Sequence, residues 1–248
     1  MLSHFSIKPC LSCPSRKFGF CQNIFKIFGN ELDAHLINQH SLLAKDYLFR
    51  QGGFYDGLFV LQSGWILLSR IAEDGKRQVF KSVLPGELLG FQPDHHGPAI
   101  YSAIAVKDCE VCTIPSAIQL CSSHPDLAMK LAWSSAYDIL LTEMYLAKIS
   151  QCNAKERIAF MVLELFRRLK LLGLCKNYTF QFPLKQEDIA EILGLTSIHV
   201  NRTLHVMKDE GLLSIRHHEL TILDFWGLER LSGKDLEMLM VCETPINL

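Results

Sequence analysis

No apolar run in this 248-residue chain approaches the roughly 18 residues that a bilayer span requires, so no transmembrane helix is expected. The first nine residues, Met1–Pro9, have no apolar core of the kind a secretory signal carries, which points to a cytoplasmic chain. Charge of one sign is not in excess either. The 25 Lys and Arg against 26 Asp and Glu leave a net charge of −1, so bulk charge neither demands nor forbids a nucleic-acid partner. Hydrophobic residues at 49% allow a sizeable core and exclude wholesale disorder. The length suits one large domain or two small ones.

Cysteine is what the chain has in quantity. Nine are present, and in reducing cytosol clustered cysteines bind metal or do redox chemistry more often than they form disulfides. Cys10-Leu11-Ser12-Cys13 is followed after seven residues by Cys21, and Cys112 stands far along the chain in Val111-Cys112-Thr113-Ile114-Pro115. Thiolates are soft ligands for iron–sulfur clusters or zinc, and four of them fill such a site. Cys109, Cys121, Cys152, Cys175 and Cys242 are scattered and fit the ordinary role of small buried hydrophobes. Cys109 is the exception, since it precedes Cys112 by three residues and competes as fourth ligand.

Between about 35 and 120 short β-rich runs alternate with turns. Tyr47-Leu48-Phe49, Gly57 to Leu61, Trp65 to Leu68 and Gln78-Val79-Phe80 read as strands, with hairpin or turn signals at Asp74-Gly75, Ser63-Gly64 and Pro85-Gly86. Regular short strands of this kind predict a jelly-roll or barrel. After His124-Pro125-Asp126 a helix is expected to about Gln151. On it Ala132, Ala136, Ile139, Glu143, Leu146 and Ser150 recur at alternating four- and three-residue steps, the spacing of a coiled-coil seam. The same helix also carries Leu131, Leu140 and Met144, which suit packing on its own β-domain. A second helix, Asn153 to about Leu172, carries Ile158, Val162, Leu165, Phe166 and Leu169 on one face and is stopped by Gly173.

The last seventy or so residues read as a separate unit. Gln186 to Leu193 is a short amphipathic helix, Gly194-Leu195-Thr196 a tight turn, and Ser197 to about Glu210 a second helix with Val200, Leu204 and Met207 inward. That is the layout of a helix-turn-helix, whose second helix enters the major groove. Leu212 to Ile215, a four-residue polar turn and Leu220 to Leu223 read as a β-hairpin wing. Ser197, His199, Arg202, His205 and Lys208 face outward with Asn201 nearby, a surface suited to phosphates and base edges. From Lys176 to Asp224 five basic residues meet seven acidic ones, less basic than a strong non-specific DNA binder.

Phe49-Arg50-Gln51-Gly52, Gly57 to Gly64, Asp74 to Gln78, Pro85 to Phe91, Asn153 to Ala159 and Leu195 to Leu204 occur in an order that, over nearly the whole chain, resembles the CRP/FNR family of bacterial transcription regulators. The resemblance implies an α+β chain with an N-terminal β-roll sensor domain of jelly-roll, cyclic-nucleotide-binding-like form, a long dimerisation helix and a C-terminal winged helix-turn-helix. The segments are then a cysteine cluster (1–30), the roll (31–124), the dimerisation helix (125–152), the DNA-binding domain (153–230) and a tail (231–248). It further implies a homodimer on a palindromic operator in double-stranded DNA, acting with RNA polymerase, and no enzyme. Gln186, Thr196, Ser197, His199, Asn201 and Arg202 are the implied DNA-binding residues, and Ala136, Ile139, Glu143 and Leu146 the dimer interface.

Two branches of that family differ at the effector. Where the cyclic-nucleotide branch places a phosphate-clamping Arg-Ser pair, this chain has Tyr101-Ser102, and a phenol cannot neutralise a phosphate. The C-x2-C-x7-C spacing is similar to the FNR branch, whose oxygen sensors hold a 4Fe-4S cluster. Carried over by position, Cys10, Cys13, Cys21 and Cys112 are the ligands, and Glu143 is an acidic residue that weakens the dimer so that the cluster decides it. The helix entering the groove departs from that branch: Ile198 and Asn201 stand where it has Glu and Ser, and Arg202 alone matches. A zinc site or dithiol switch, or another effector in the roll, is the alternative within the same fold. A cupin-like metalloenzyme would rest on His95-His96 alone, and adjacent strand residues point to opposite faces.

Overall fold

A computed structural model gives the fold and describes residues 20–22, 26, 38–94, 97–114 and 121–233. The chain divides into two compact units, 1–136 and 137–248.

The first unit is built on eight strands: β1 (Asn38–Leu42), β2 (Tyr47–Phe49), β3 (Leu58–Ser63), β4 (Ile66–Ile71), β5 (Arg77–Val83), β6 (Leu88–Leu89), β7 (Ser102–Ala105) and β8 (Cys109–Ile114). They form two antiparallel four-stranded sheets, ordered β1-β8-β3-β6 and β2-β7-β4-β5. Inward residues of both, among them Phe59 and Leu61 of β3, Ile66 and Leu68 of β4, and Cys109 and Val111 of β8, make one core. Alternation along a strand sends the intervening residues to the opposite face. Accordingly Leu58 and Val60 of β3 and Ile114 of β8 join a second cluster with Leu88, Phe20, Leu127 and Leu131. The Asp74-Gly75 turn joins β4 to β5, with Gly75 at φ +80 and Asp74 Oδ1 accepting from the Lys76 amide at 3.1 Å.

Helix α1 (Pro125–Gln151) begins in the first unit and ends in the second. Asn153 caps α2 (Ala154–Leu171) through a capping box with Glu156, and Gly173 at φ +68 closes its C-terminal end. The sequence predicts one apolar face for α2. The helix is instead buried on most sides, and Phe160, Met161 and Leu163 join the expected Ile158, Val162 and Leu165. Burial all round requires its polar residues to be paired. Arg168 donates to Glu164 at 2.7 Å, and the hydroxyl of Tyr145 on α1 donates to the other Glu164 oxygen at 3.1 Å. Burial and the adjacent Glu164 hold the Tyr145 phenol well above its ordinary pKa, so it is a fixed donor.

The rest of this unit comprises β9 (Cys175–Lys176), β10 (Thr179–Gln181), α3 (Gln186–Leu193), α4 (Ser197–Asp209), β11 (Leu213–Arg216), β12 (Glu219–Ile222) and α5 (Phe225–Ser232). The four strands form one antiparallel sheet, β11-β12-β10-β9. Lys148, near the end of α1, is buried, and its ammonium donates to the backbone carbonyl of Ser232 at the end of α5 at 2.7 Å.

Candidate sensor face and nucleic-acid interface

The cysteines of β8 lie on two different faces. Cys109 belongs to the interior core, where its Sγ donates to the carbonyls of Lys107 at 3.0 Å and Trp65 at 3.3 Å. Burial pushes its thiol up to about 11, and its side chain is directed into the interior core, away from the outer face of the sheet. Cys112 is opposite Val60 on β3, and residues directly opposed in a ladder share a face. Val60 is part of the outer cluster, so Cys112 lies on that outer side.

Cys21 is half-buried against the same outer cluster. Its neighbour Phe20 is buried there, and the Phe20 amide donates to the Gly86 carbonyl at 2.9 Å. Cys21 and Cys112 therefore lie on one side of the β1-β8-β3-β6 sheet. Cys10 and Cys13 lie outside the described residues, as do His95 and His96. Among the described residues no group of three or more His, Cys, Asp or Glu is placed to hold a metal ion. A four-thiolate site therefore needs the N-terminal pair in addition to Cys21 and Cys112. Sequence reasoning passes over Cys121, which packs against the same outer cluster as Cys21 and whose thiol is raised by burial. Nothing in its local sequence distinguishes it.

Inside the roll, aromatic rings occupy the space between the sheets. Phe49 stacks on Tyr55 at 4.3 Å and lies 5.7 Å from both Phe59 and Tyr101, while Phe80 meets Tyr101 edge-on at 5.6 Å. The Tyr55 hydroxyl donates to the Gly90 carbonyl at 2.8 Å. The Ser102 hydroxyl accepts the Gln51 amide at 2.9 Å, and the Glu87 carboxylate accepts the Leu84 amide at 3.2 Å. Both side chains thus serve the roll's own backbone.

In the second unit, Gly194 at φ +63 turns the chain between α3 and α4. Thr196 caps α4 by accepting the His199 amide at 3.2 Å. The Asn201 amide donates to the Gln186 side chain at 2.9 Å, so two residues expected at DNA are joined across the turn. Arg202 is exposed, Ser197 and His199 are half-buried, and Ile198 is 81% exposed at the start of α4. The inner face of α4 is Val200, Thr203 and Met207. Leu204, expected inward, is only half-buried; Thr203 replaces it by donating its hydroxyl to the His199 carbonyl at 2.8 Å.

The wing also departs from expectation. Its turn has two residues, His217 and His218, flanked by the Arg216–Glu219 pair, and both histidines have positive φ (50 and 61). Tight hairpins of this type demand left-handed backbone at both central positions, which Asn-Gly advertises and His-His does not.

On α1 the residues at the expected seam positions (Ala132, Ala136, Ile139, Glu143, Leu146 and Ser150) are all exposed, Ile139 by 60% and Leu146 by 65%. Leu127, Leu131, Leu141, Met144 and Lys148 form the buried side of the same helix. No helix among the described residues is long and apolar enough to cross a membrane.

Comparison with known sequences and structures agrees with this layout. A family model described as cyclic nucleotide-binding domain matches residues 39–120, and one described as Crp-like helix-turn-helix domain matches 156–231. The anaerobic regulatory protein of Pasteurella multocida is 29% identical over 206 residues, 82% of this chain and 75% of its own. The transcriptional activator protein anr of Pseudomonas aeruginosa is 28% identical over 84% of this chain and 86% of its own. The structure of FixK2 from Bradyrhizobium japonicum superposes with a TM-score of 0.72 at 21% identity, covering 80% of this chain and 98% of that one.

Proposed function

Since this chain belongs to the CRP/FNR family of DNA-binding transcription regulators, we propose that its dimerisation and operator binding are controlled by an oxygen-labile 4Fe-4S cluster held by Cys10, Cys13, Cys21 and Cys112. The observation that carries this reading is the sorting of the β8 cysteines: Cys112 shares an outer face with Cys21, while Cys109 is packed in the core inside the roll. Tyr101, standing where the nucleotide-binding branch has its phosphate-clamping arginine, supports it further. Relatives named for anaerobic regulation point the same way.

When bound, such a cluster supplies sulfide-bridged iron that oxygen can oxidise. The chain's own residues carry the consequence. Phe20, beside Cys21, packs with Leu127 and Leu131 in the first two turns of α1. Fixing Cys21 to β8 therefore steadies the start of the helix whose exposed Ala136, Ile139 and Leu146 meet a second copy. Glu143 in that seam faces its own counterpart and opposes association, so the seam alone is weak. On DNA, Arg202 reads guanine through O6 and N7, Ser197, His199 and Thr196 contact backbone or base edges, and the joined Gln186 and Asn201 position the helix. The homodimer then spans a palindromic operator and acts with RNA polymerase.

The test is anaerobic purification with iron and acid-labile sulfide assays and an absorbance spectrum before and after air. Bound iron and sulfide with a chromophore that air bleaches are expected, lost in Cys112→Ser and retained in Cys109→Ser. A colourless protein, or loss in Cys109→Ser alone, overturns the proposal. The position of Cys121 beside the face of Cys21 favours one second reading, a zinc or dithiol switch. Stoichiometric zinc with oxygen-insensitive operator binding would establish that version.

A further inference from the structure

We propose that His205, His217 and His218 act as proton-dependent cations at the DNA backbone, so that operator affinity rises as pH falls; this rests on the DNA-binding reading above. Between Lys176 and Asp224 the DNA-binding unit carries a net charge of −2 with its histidines neutral. A surface that binds a polyanion needs cations, and each phosphate neutralised by one releases counterions. Arg202 and Lys208 are the basic residues of α4, and His205 lies between them on the same exposed side, three residues from each. Arg216, His217 and His218 are all exposed at the tip of the β11–β12 hairpin.

The tip is held in place. The Phe182 amide donates to the His218 carbonyl at 2.7 Å, and both histidines have left-handed backbone that projects the turn. Its adjacent acid, Glu219, is engaged by the Gln181 amide at 2.9 Å. The other ionisable groups of that sheet besides Arg216 and Glu219 are Cys175, whose thiol is raised by burial, and Lys176, both on β9, while β10 contributes none. Around His205, α4 itself carries Arg202, Lys208 and Asp209. Of the elements packed on α4, α3 brings Glu187, Asp188 and Glu191, α2 brings Glu156, Arg157 and Lys155, the last paired with Glu210, and β11 brings Arg216. Asp188 is spent on the Lys185 amide at 3.0 Å. A phosphate beside an imidazole favours its cationic form. Protonating the three histidines would change the net charge of this stretch from −2 to +1.

The experiment uses full-length protein prepared anaerobically and a fluorescent duplex bearing the sequence the protein selects from a randomised library. Operator affinity is measured at pH 6 and pH 8 across a salt series. Binding roughly tenfold tighter at pH 6 is expected, with a salt dependence steeper there by about 0.9 for each additional phosphate neutralised. The variant carrying His205→Gln, His217→Asn and His218→Asn should lose most of the tightening between its own affinities at pH 8 and pH 6; Asn tolerates the positive φ of the turn. Equal pH dependence in the parent and this variant overturns the inference, as does a salt slope that does not change with pH. Failure to select or bind any duplex at either pH would instead overturn the DNA-binding reading beneath it.

Discussion

At Gly64 the backbone runs so close to β8 that a Cβ would come within 2.5 Å of both the Asp108 carbonyl and Cys109 Sγ, and φ is +96. Gly64→Ala combines steric conflict in a packed core with backbone strain and should destabilise the roll by about 3 kcal/mol, measurable by urea denaturation. Cys109 makes a second prediction. Its folded pKa, about 11, is raised above the ordinary 9.0 because burial disfavours the thiolate. A group raised in this way contributes its full stability below the unfolded value and loses it as pH climbs through the folded one. Between about pH 9 and 11 the melting temperature should therefore fall in the parent and fall less in Cys109→Ala. At this scale the sequence was partly legible. The C-x2-C-x7-C spacing marks the N-terminal cysteines, and Tyr101 in place of an arginine is visible by inspection. The environments of Cys109 and Cys112 were not, because strand parity places them on opposite faces and only the ladder partners show which face is inside. The His217-His218 turn was hidden for another reason: its residue types do not advertise positive φ.

Helix α1 is apolar on two sides. Leu131, Leu141 and Met144 are buried by its own chain, while Ile139 and Leu146 are left open. Packing on its own chain thus uses one side of the helix, and the proposed seam is the other. Ile139→Glu adds a second ring of like charge to the exposed side and should shift the anaerobic protein to monomer in sedimentation velocity. Under the proposed mechanism Glu143→Ala should raise the dimer fraction of cluster-free protein in air. Helix α2 gives a stability prediction. Glu164→Ala strands the buried Arg168 guanidinium and leaves the Tyr145 hydroxyl without its acceptor, at a cost of roughly 3–5 kcal/mol in denaturant unfolding. Long helices are legible in the sequence, Pro125–Gln151 nearly to the residue, because Pro125 marks the start of one and Gly173 the end of the next. Strands β6 and β7 are not: they are short, and flanking turn residues conceal any alternation. The one-sided pattern expected of α2 also falls short, since its charged residues are buried in pairs and so look like a solvated face.

For the molecule as a whole, the order of elements was legible because roll, long helix and helix-turn-helix each carry their own signals. How an effector is sensed was less so, since rolls that bind different effectors share the same turns, and only Tyr101 at the position of the clamping arginine argues against a nucleotide. Adding cyclic AMP should consequently leave both the melting temperature and operator affinity unchanged, checked by thermal shift and by fluorescence anisotropy. The ammonium of Lys148 on the Ser232 carbonyl has a mechanical meaning beyond packing. It ties the last turns of α1 to the end of α5, and Lys148 lies between Leu146 and Ser150 of the open seam. A side-chain tip about 6 Å from a helix axis travels about 3 Å when the helix rolls by about 30°, enough to break a hydrogen bond of ordinary length. This one bond therefore acts as an angular detent, resisting rotation of the last turns of α1 against α5.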